Sequence, residues 1–388
     1  MTPEQAFAAV RNALRLENLS RDLAAKVTPQ VLEILKSVAE TVRAMPPDQI
    51  GREIRYRQLQ QQLAGMFHGP NREFYETLRQ GLDAEVGRQV EWAREWLQKA
   101  AQDPTEQAIA TMPREGITVA PTGAHGTGVE FTRTQLVAIT ERTEVLGVRL
   151  EQIFAPDRGT SIWMRDNIKL IDTTVKRGFL LGETNEEIAR QLPGMGRVAI
   201  TRNRAIARTA VMDMSQRAHE EFWDAQDEGV VRAWVFDATF DYRVCMRCAP
   251  WDGDQRKDRS KLPRVPIHPN CRCRVLPLTE TELRLRNEGE RSYVEITRSK
   301  PEESSKTRVY KQKVRVGEKK LYKVARDVGP QDGKAITMAG FLHDASDETR
   351  AAVMGVANAK EFEVTIGRGI SPEEALRRVV SNPKRRKR

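Results

Sequence analysis

The four cysteines constrain this chain most, because all of them lie between residues 245 and 273 of a 388-residue sequence. They form two close pairs, Cys245-x2-Cys248 and Cys271-x-Cys273, and His268 stands shortly before the second pair. A gap of two residues lets a tight turn bring two side chains to one ion, which is the spacing of a tetrahedral zinc site. The pattern therefore predicts a structural zinc ion that pins a loop with few apolar side chains.

Five candidate ligands compete for four positions around the predicted ion, so the ligand set stays open. We favour Cys245, Cys248, His268 and Cys271, with Cys273 as the substitute. In an extended segment Cys271 and Cys273 would point to the same face, so a site made of cysteines alone is also possible. A zinc ion with four protein ligands has no open position for water, so the predicted role is structural and not catalytic.

Two other interpretations of the cysteines have specific weaknesses. Disulfide bonds or buried free thiols would need no metal, but disulfides are rare in a reducing cytoplasm. A zinc deaminase would use His219 and Glu221 before the first cysteine pair, yet its signature requires a proline where this chain has Val244. His219 lies in a predicted long helix, where Arg217 and its neighbours up to Glu221 are typical of a solvated face.

A nuclease of the HNH type is a further alternative, since such folds often place paired cysteines beside His and Asn. After His268 and Asn270 the only remaining histidine is His343, which is too distant in sequence to complete a compact motif. A zinc-stapled nuclease of phage or mobile-element origin is therefore the alternative function, and it ranks below a structural role.

Apolar periodicity predicts an α+β chain that is mostly helical, with a small zinc-stapled β region and a β-hairpin near the C-terminus. Two helices are predicted before Pro46, and a long one follows Asn71. Strand patterns at 230–236 and 274–278 flank the cysteines. In the long helix, apolar residues recur at intervals of three or four and indicate a buried face: Phe74, Leu78, Leu82, Val86, Val90, Ala93 and Leu97.

Changes in composition divide the chain into six predicted segments. Clusters of proline and glycine mark a linker or surface loop, and a charged stretch follows the cysteine region. The segments are an N-terminal helical region at 1–112, a linker or loop at 113–132, a core with the cysteine pairs at 133–280, a basic β extension at 281–336, a helical motif at 337–380 and a basic tail at 381–388.

The net charge of +10 is concentrated at the C-terminal end, where residues 281–388 hold 25 Lys and Arg against 16 Asp and Glu. Basic segments of this kind bind polyanions by neutralising phosphates without reading their sequence. A solvated, disordered tail is the alternative interpretation. The predicted DNA-binding residues lie in the hairpin and the tail: Lys311, Lys313, Lys319, Lys320, Lys384, Arg385, Arg386, Lys387 and Arg388.

Several functional classes are not expected. No apolar run approaches the roughly 18 residues that a membrane helix needs, and residues 1–5 lack the basic and apolar regions of a signal peptide. The residues after Pro277 contain no nucleotide-binding or nucleophile constellation. We therefore expect a protein made in the cytoplasm that is not an enzyme, contacts no membrane and has no small-molecule substrate.

The segment from Val198 to Leu278 resembles the phage head-morphogenesis family, the Mu F-like minor head proteins. Residues 338–380 are similar to the family more weakly, through three glycines. The residues that carry the main resemblance are Arg208-Thr209-Ala210, Trp234-Val235-Phe236-Asp237-Ala238, Asp241 to Cys248, Asp252-Gly253 and Pro266 to Cys273.

The resemblance implies a minor capsid protein of a tailed bacteriophage. Such a protein is made in the host bacterial cytoplasm beside the portal and is incorporated into the procapsid in a few copies. The resemblance also implies contact with the portal protein, the major capsid protein or both, and with packaged DNA. The expected location is the head of the virion.

Overall fold

Two long helices form the N-terminal part of the structure, which is a computed structural model. Helix α1 spans Pro3–Arg43 and helix α2 spans Gln49–Ala101. They are antiparallel, because early residues of α1 bond to late residues of α2 and later residues of α1 bond to earlier ones of α2. The described residues are 3–101, 130–155, 160–226, 230–238, 247–279, 292–299, 310–316, 319–330, 338–344 and 347–381.

Both helices are longer than their sequence predicts. The two helices expected before Pro46 are one continuous helix, which passes through Pro29. Helix α2 begins at Gln49 instead of after Asn71, and it passes through Pro70. A proline removes one backbone hydrogen bond from a helix. The apolar face is buried on both sides of each proline, so packing offsets that loss.

The predicted apolar face of α2 is confirmed as part of the core, because all seven of its residues are buried. Among the described residues, five further helices follow: α3 (Arg133–Glu141), α4 (Leu150–Phe154), α5 (Ile162–Leu180), α6 (Asn185–Gly194) and α7 (Gly196–Asp224). A small hairpin that the sequence analysis missed, β1 (Glu144–Val145) with β2 (Val148–Arg149), lies between α3 and α4.

Helix α7 is the central helix of the core, and it packs against both α1 and α2. Small side chains such as Ala207, Ala210 and Ala218 are buried along it and allow close approach of the neighbouring helices. Its C-terminal part carries Phe222, which is also fully buried. The N-terminal helices and the cysteine region therefore share one hydrophobic core.

A three-stranded antiparallel sheet flanks the cysteines. It contains β3 (Ala233–Asp237), β4 (Gln255–Arg256) and β5 (Arg274–Leu278), in the order β4-β3-β5. Strands β3 and β5 are the two that the sequence predicts, and they pair from Ala233–Leu278 to Asp237–Arg274. Strand β4 is too short to have been predicted.

The C-terminal part contains a second antiparallel sheet and four short helices. Strands β6 (Ser292–Ser299), β7 (Tyr310–Val316) and β8 (Lys319–Pro330) lie in the order β6-β8-β7, and β7 with β8 is the predicted hairpin. The helices described there are α8 (Met338–Asp344), α9 (Asp347–Met354), α10 (Val356–Ile366) and α11 (Pro372–Ser381), within the segment predicted to be helical. A mostly helical fold with small antiparallel sheets agrees with the predicted class.

Candidate metal centre

Three cysteine sulfurs converge between a short 3-10 turn at Ala249–Trp251 and the start of β5. The sulfurs of Cys248, Cys271 and Cys273 lie within 4.8 Å of one another. All three side chains are buried, and no disulfide bond joins any of the three to another described residue. This cluster is close enough to hold a metal ion.

The distances between the candidate ligand atoms suit a tetrahedral zinc ion. Sγ of Cys248 lies 3.8 Å from Sγ of Cys271 and 3.2 Å from Nε2 of His268. Two sulfurs bound to a tetrahedral zinc at about 2.3 Å are about 3.8 Å apart, and a sulfur and an imidazole nitrogen are about 3.5 Å apart. The sulfur-rich donor set with one imidazole is one that zinc favours in structural sites.

The surroundings of His268 favour the imidazole tautomer that a metal ligand needs. Its Nδ1 lies 2.8 Å from the carbonyl oxygen of Pro269. Because a carbonyl can only accept, Nδ1–H is the donor, and Nε2 keeps its lone pair towards Cys248. A hydrogen bond on the nitrogen opposite the metal is the usual means of orienting a ligating histidine.

The local electrostatics favour a deprotonated sulfur at Cys271. Hydrogen bonds from the side chains of Cys248 and Cys273 lower the pKa of the Cys271 thiol well below its ordinary value, although burial acts in the opposite direction. The backbone N–H of Ile267 lowers this pKa further. The thiolate is the form that binds a metal.

Helix α7 holds the second cysteine segment in place through two side chains. The amide of Gln216 donates to the carbonyl of Val275 at 3.1 Å and accepts from its N–H at 3.3 Å. The backbone N–H of Asn270 donates to the hydroxyl of Thr209 at 3.4 Å. Asn270 has a φ of 62°, a conformation that asparagine tolerates better than most residues. The turn between the ligands is thus anchored to the core.

The Asp252-Gly253 turn ties the first cysteine segment to β3. Asp252 is buried, and its carboxylate accepts from the N–H of Ala238 at 3.0 Å. The N–H of Gly253 donates to the carbonyl of Phe236 at 2.9 Å. Gly253 has a φ of 79°, which glycine adopts without steric cost. Asp252 and Gly253 therefore both fix the turn that joins the first cysteine segment to β3.

The structure brings together most of the predicted metal ligands. The sulfurs of Cys248, Cys271 and Cys273 meet, and His268 contacts Cys248, whereas Cys245 lies outside the described residues. The identity of the fourth ligand therefore stays a prediction. The lysines predicted to bind DNA lie on β7 and β8, and the basic tail lies outside the described residues.

The interpretation of this part of α7 as a solvated face is wrong for His219. Its side chain is buried and stacks on Trp92, with ring centroids 4.7 Å apart. Burial, and then the charge of Arg274, lower the pKa of His219 to about 3. Glu221 instead pairs with Arg142 at 2.7 Å. Helical periodicity alone could not show that α2 covers this face, and the deaminase arrangement gains no support.

Comparison with known proteins identifies the segment that contains this cluster. The model of the family described as Phage Mu protein F like protein matches residues 169–276, which run from within α5 into β5. No curated protein and no solved structure matches the chain. Among the described residues, no helix is long and apolar enough to cross a membrane. The family match confirms the resemblance inferred from the sequence and extends it towards the N-terminus.

Proposed function

We propose that this chain, which carries a Mu F-like head-morphogenesis region at residues 169–276, is a minor capsid protein of a tailed bacteriophage. It is made in the host cytoplasm and is incorporated into the procapsid near the portal. There it contacts the portal protein, the major capsid protein or both, and it remains in the head of the virion. Its role is structural and not enzymatic.

The burial of the cysteine cluster inside the matched region is the observation that carries this proposal. Cys248 and Cys271 are almost inaccessible to solvent, and two side chains of α7 hold the segment that contains Cys271. A metal ion in this position would stabilise the region and would offer no open position to a substrate. This arrangement suits a protein whose matched region serves assembly.

Zinc is the proposed ion. Cys248, Cys271 and Cys273 would supply three ligands, and His268 or Cys245 would supply the fourth. When bound, such an ion contributes its binding free energy to folding. The wild-type chain should contain about one zinc ion per molecule by elemental analysis.

Replacing Cys248 by Ser should lower both the metal content and the thermal stability, because the cluster loses one thiolate. Separate Cys245→Ser and His268→Ala variants identify the fourth ligand, since only loss of a true ligand weakens metal retention. His68→Ala, at an exposed position of α2, is the matched control. Wild-type protein that is well folded yet metal-free after reducing, chelator-free purification would contradict the zinc proposal.

We further propose that the basic C-terminal part contacts DNA without sequence preference. The charge of residues 281–388 supports this role, because Lys and Arg neutralise phosphates and release counterions. The contacts would involve the hairpin lysines Lys311, Lys313, Lys319 and Lys320 and the tail at 384–388.

Affinity purification of the tagged chain from phage-infected cells tests the assembly role. Portal or major capsid protein should be recovered with the wild-type chain, and recovery should fall for the Cys248→Ser variant. The same preparations should leave plasmid DNA intact when divalent metal is added. Plasmid cleavage that is lost in a His268→Ala variant, without recovery of head proteins, would instead establish the nuclease alternative.

A further inference from the structure

A groove with basic walls lies beside the candidate metal centre. Its volume is about 620 Å³, and it lies between the 3-10 turn after Cys248 and the loop that follows β4. The lining residues are Trp251, Gln255, Arg256, Lys257, Asp258 and Lys261.

The acidic groups near this groove are already engaged by the protein. Asp258 accepts from the backbone N–H of Ser260 at 2.9 Å, and the bonds from Ser260 lower the pKa of the Asp258 carboxyl. Asp254 lies 2.9 Å from Arg256 and 3.8 Å from Arg377 of α11, so two cations share one carboxylate. Arg and Lys side chains therefore outnumber the carboxylates around the groove.

Two lysines of the groove remain available to a partner. Lys257 and Lys261 are exposed, and neither makes an ion pair with any of the residues that the structure describes. The charge of Lys261 acts on Asp258 only as a minor cause of its lowered pKa, after the hydrogen bonds from Ser260. Arg256 is also exposed, although it is paired with Asp254. Trp251, which is partly buried, forms part of the lining and contributes a flat apolar surface.

We propose that this groove binds the phosphodiester backbone of DNA, with Lys257 and Lys261 as its main phosphate contacts. The inference rests on the proposed DNA contact and gives it a second location outside the hairpin and tail. A concave basic surface with an aromatic side chain is the arrangement that binds single-stranded nucleic acid without sequence preference, and exposed lysines neutralise duplex phosphates in the same way. The groove also adjoins α11 through Arg377, and the basic tail begins at Lys384, shortly after α11 ends at Ser381.

An acidic protein surface is the competing partner, and the surroundings of the groove favour DNA over it. Protein interfaces usually have an apolar core that excludes charged side chains. The large apolar side chains that are most exposed among the described residues lie on other parts of the chain, including Ile50, Leu180 and Val356. Between residues 247 and 279 none is strongly exposed. Charge, and not apolar contact, would therefore dominate binding here.

Charge reversal in the full-length protein tests the proposal. A Lys257→Glu and Lys261→Glu double variant should bind a mixed-sequence DNA duplex at least about tenfold more weakly at low salt. The slope of log affinity against log salt concentration should become shallower by about two, because each lost phosphate contact removes about one unit. Single-stranded DNA of equal length is the second probe, since both forms share the phosphodiester backbone.

A double variant of exposed lysines elsewhere supplies the matched control. Lys36→Glu and Lys169→Glu, on α1 and α5, change the net charge equally without touching the groove. The proposal predicts a much smaller loss of DNA affinity for this control. The metal content and the melting temperature should be unchanged in both variants. Weaker binding of the groove variant to duplex or single-stranded DNA supports the proposal. If binding weakens for only one of the two forms, that form is the one the groove prefers.

Two outcomes overturn the proposal. In the first, the groove variant binds both DNA probes as tightly as the control variant does. In the second, DNA binding is unchanged but the groove variant no longer recovers a head protein from infected cells, which would assign the groove to an acidic protein partner. Failure of the head-protein proposal is separately visible, because the wild-type chain would then be missing from procapsids whatever its affinity for DNA.

Discussion

Single residues differ in how far their surroundings can be predicted. Two close pairs, Cys245-x2-Cys248 and His268-x2-Cys271, suffice to predict that the two segments meet, because together they are the pattern of one zinc site. The environment of His219 could not be predicted in this way. Its burial depends on Trp92 of α2 and Arg274 of β5, which are far from it in sequence.

The buried state of His219 predicts a specific dependence of stability on pH. Its pKa in the folded state is about 3, below the ordinary value of about 6.5. Protons therefore bind more tightly to the unfolded chain, and acidification favours unfolding. The stability that neutral His219 contributes to the folded state is fully present above a pH of about 6.5. As the pH falls below this value, that stability decreases by up to about 1.4 kcal/mol per pH unit.

A His219→Phe variant should remove this contribution while keeping a ring stacked on Trp92. Between pH 7 and pH 5, its free energy of unfolding should fall by about 2 kcal/mol less than that of the wild type. Denaturant titrations at the two pH values measure the difference. His68→Asn, at an exposed position, should behave like the wild type. Equal pH dependence in the His219→Phe variant and the wild type would refute the assignment.

At the level of elements, helix α7 links the cysteine region to the long N-terminal helices. The apolar face of α2 could be predicted from its periodicity, but its continuation through Pro70 could not. Whether a proline ends a helix depends on the packing around it, and that packing comes from distant segments. The role of Gln216 also has no sequence signal, because a glutamine in a helix is more often exposed.

Gln216 should be required for a stable second cysteine segment. Its amide satisfies both the carbonyl and the N–H of Val275 in a buried environment. A Gln216→Ala variant leaves both groups without a partner, which should cost about 1–3 kcal/mol of stability. The variant should also lose zinc faster to a competing chelator. Gln58→Ala, at an exposed position of α2, is the control, and equal zinc loss from the two variants would count against this role.

At the scale of the whole molecule, one hydrophobic core includes residues from several of the predicted segments. Buried residues of α1, α2, α7, the cysteine cluster and the C-terminal helices belong to one hydrophobic core. The predicted boundary near residue 112 falls outside the described residues, and the division into domains stays a prediction. The sequence could indicate the change in composition there but not the packing across it.

The C-terminal helices should respond to the metal. Helices α8 and α11 contact the turn at Ala249–Trp251, and Leu376 of α11 is fully buried. Removing zinc with a chelator should therefore loosen α11 and speed tryptic cleavage at Arg377 and Arg378. Cleavage at Lys169, on the exposed side of α5, should change less. Equal acceleration at both places would indicate global unfolding instead of this coupling.

The protein composition of purified procapsids tests the assembly role most directly. Procapsids from phage that carry the gene should contain the chain in a few copies. Procapsids from phage that lack the gene should not contain the chain and serve as the negative control. Quantitative mass spectrometry of gradient-purified particles makes this measurement. We predict that the wild-type chain co-migrates with procapsids and persists in virions, and that the Cys248→Ser variant is depleted from both. Complete absence of the wild-type chain from procapsids and virions would contradict a role as a minor capsid protein.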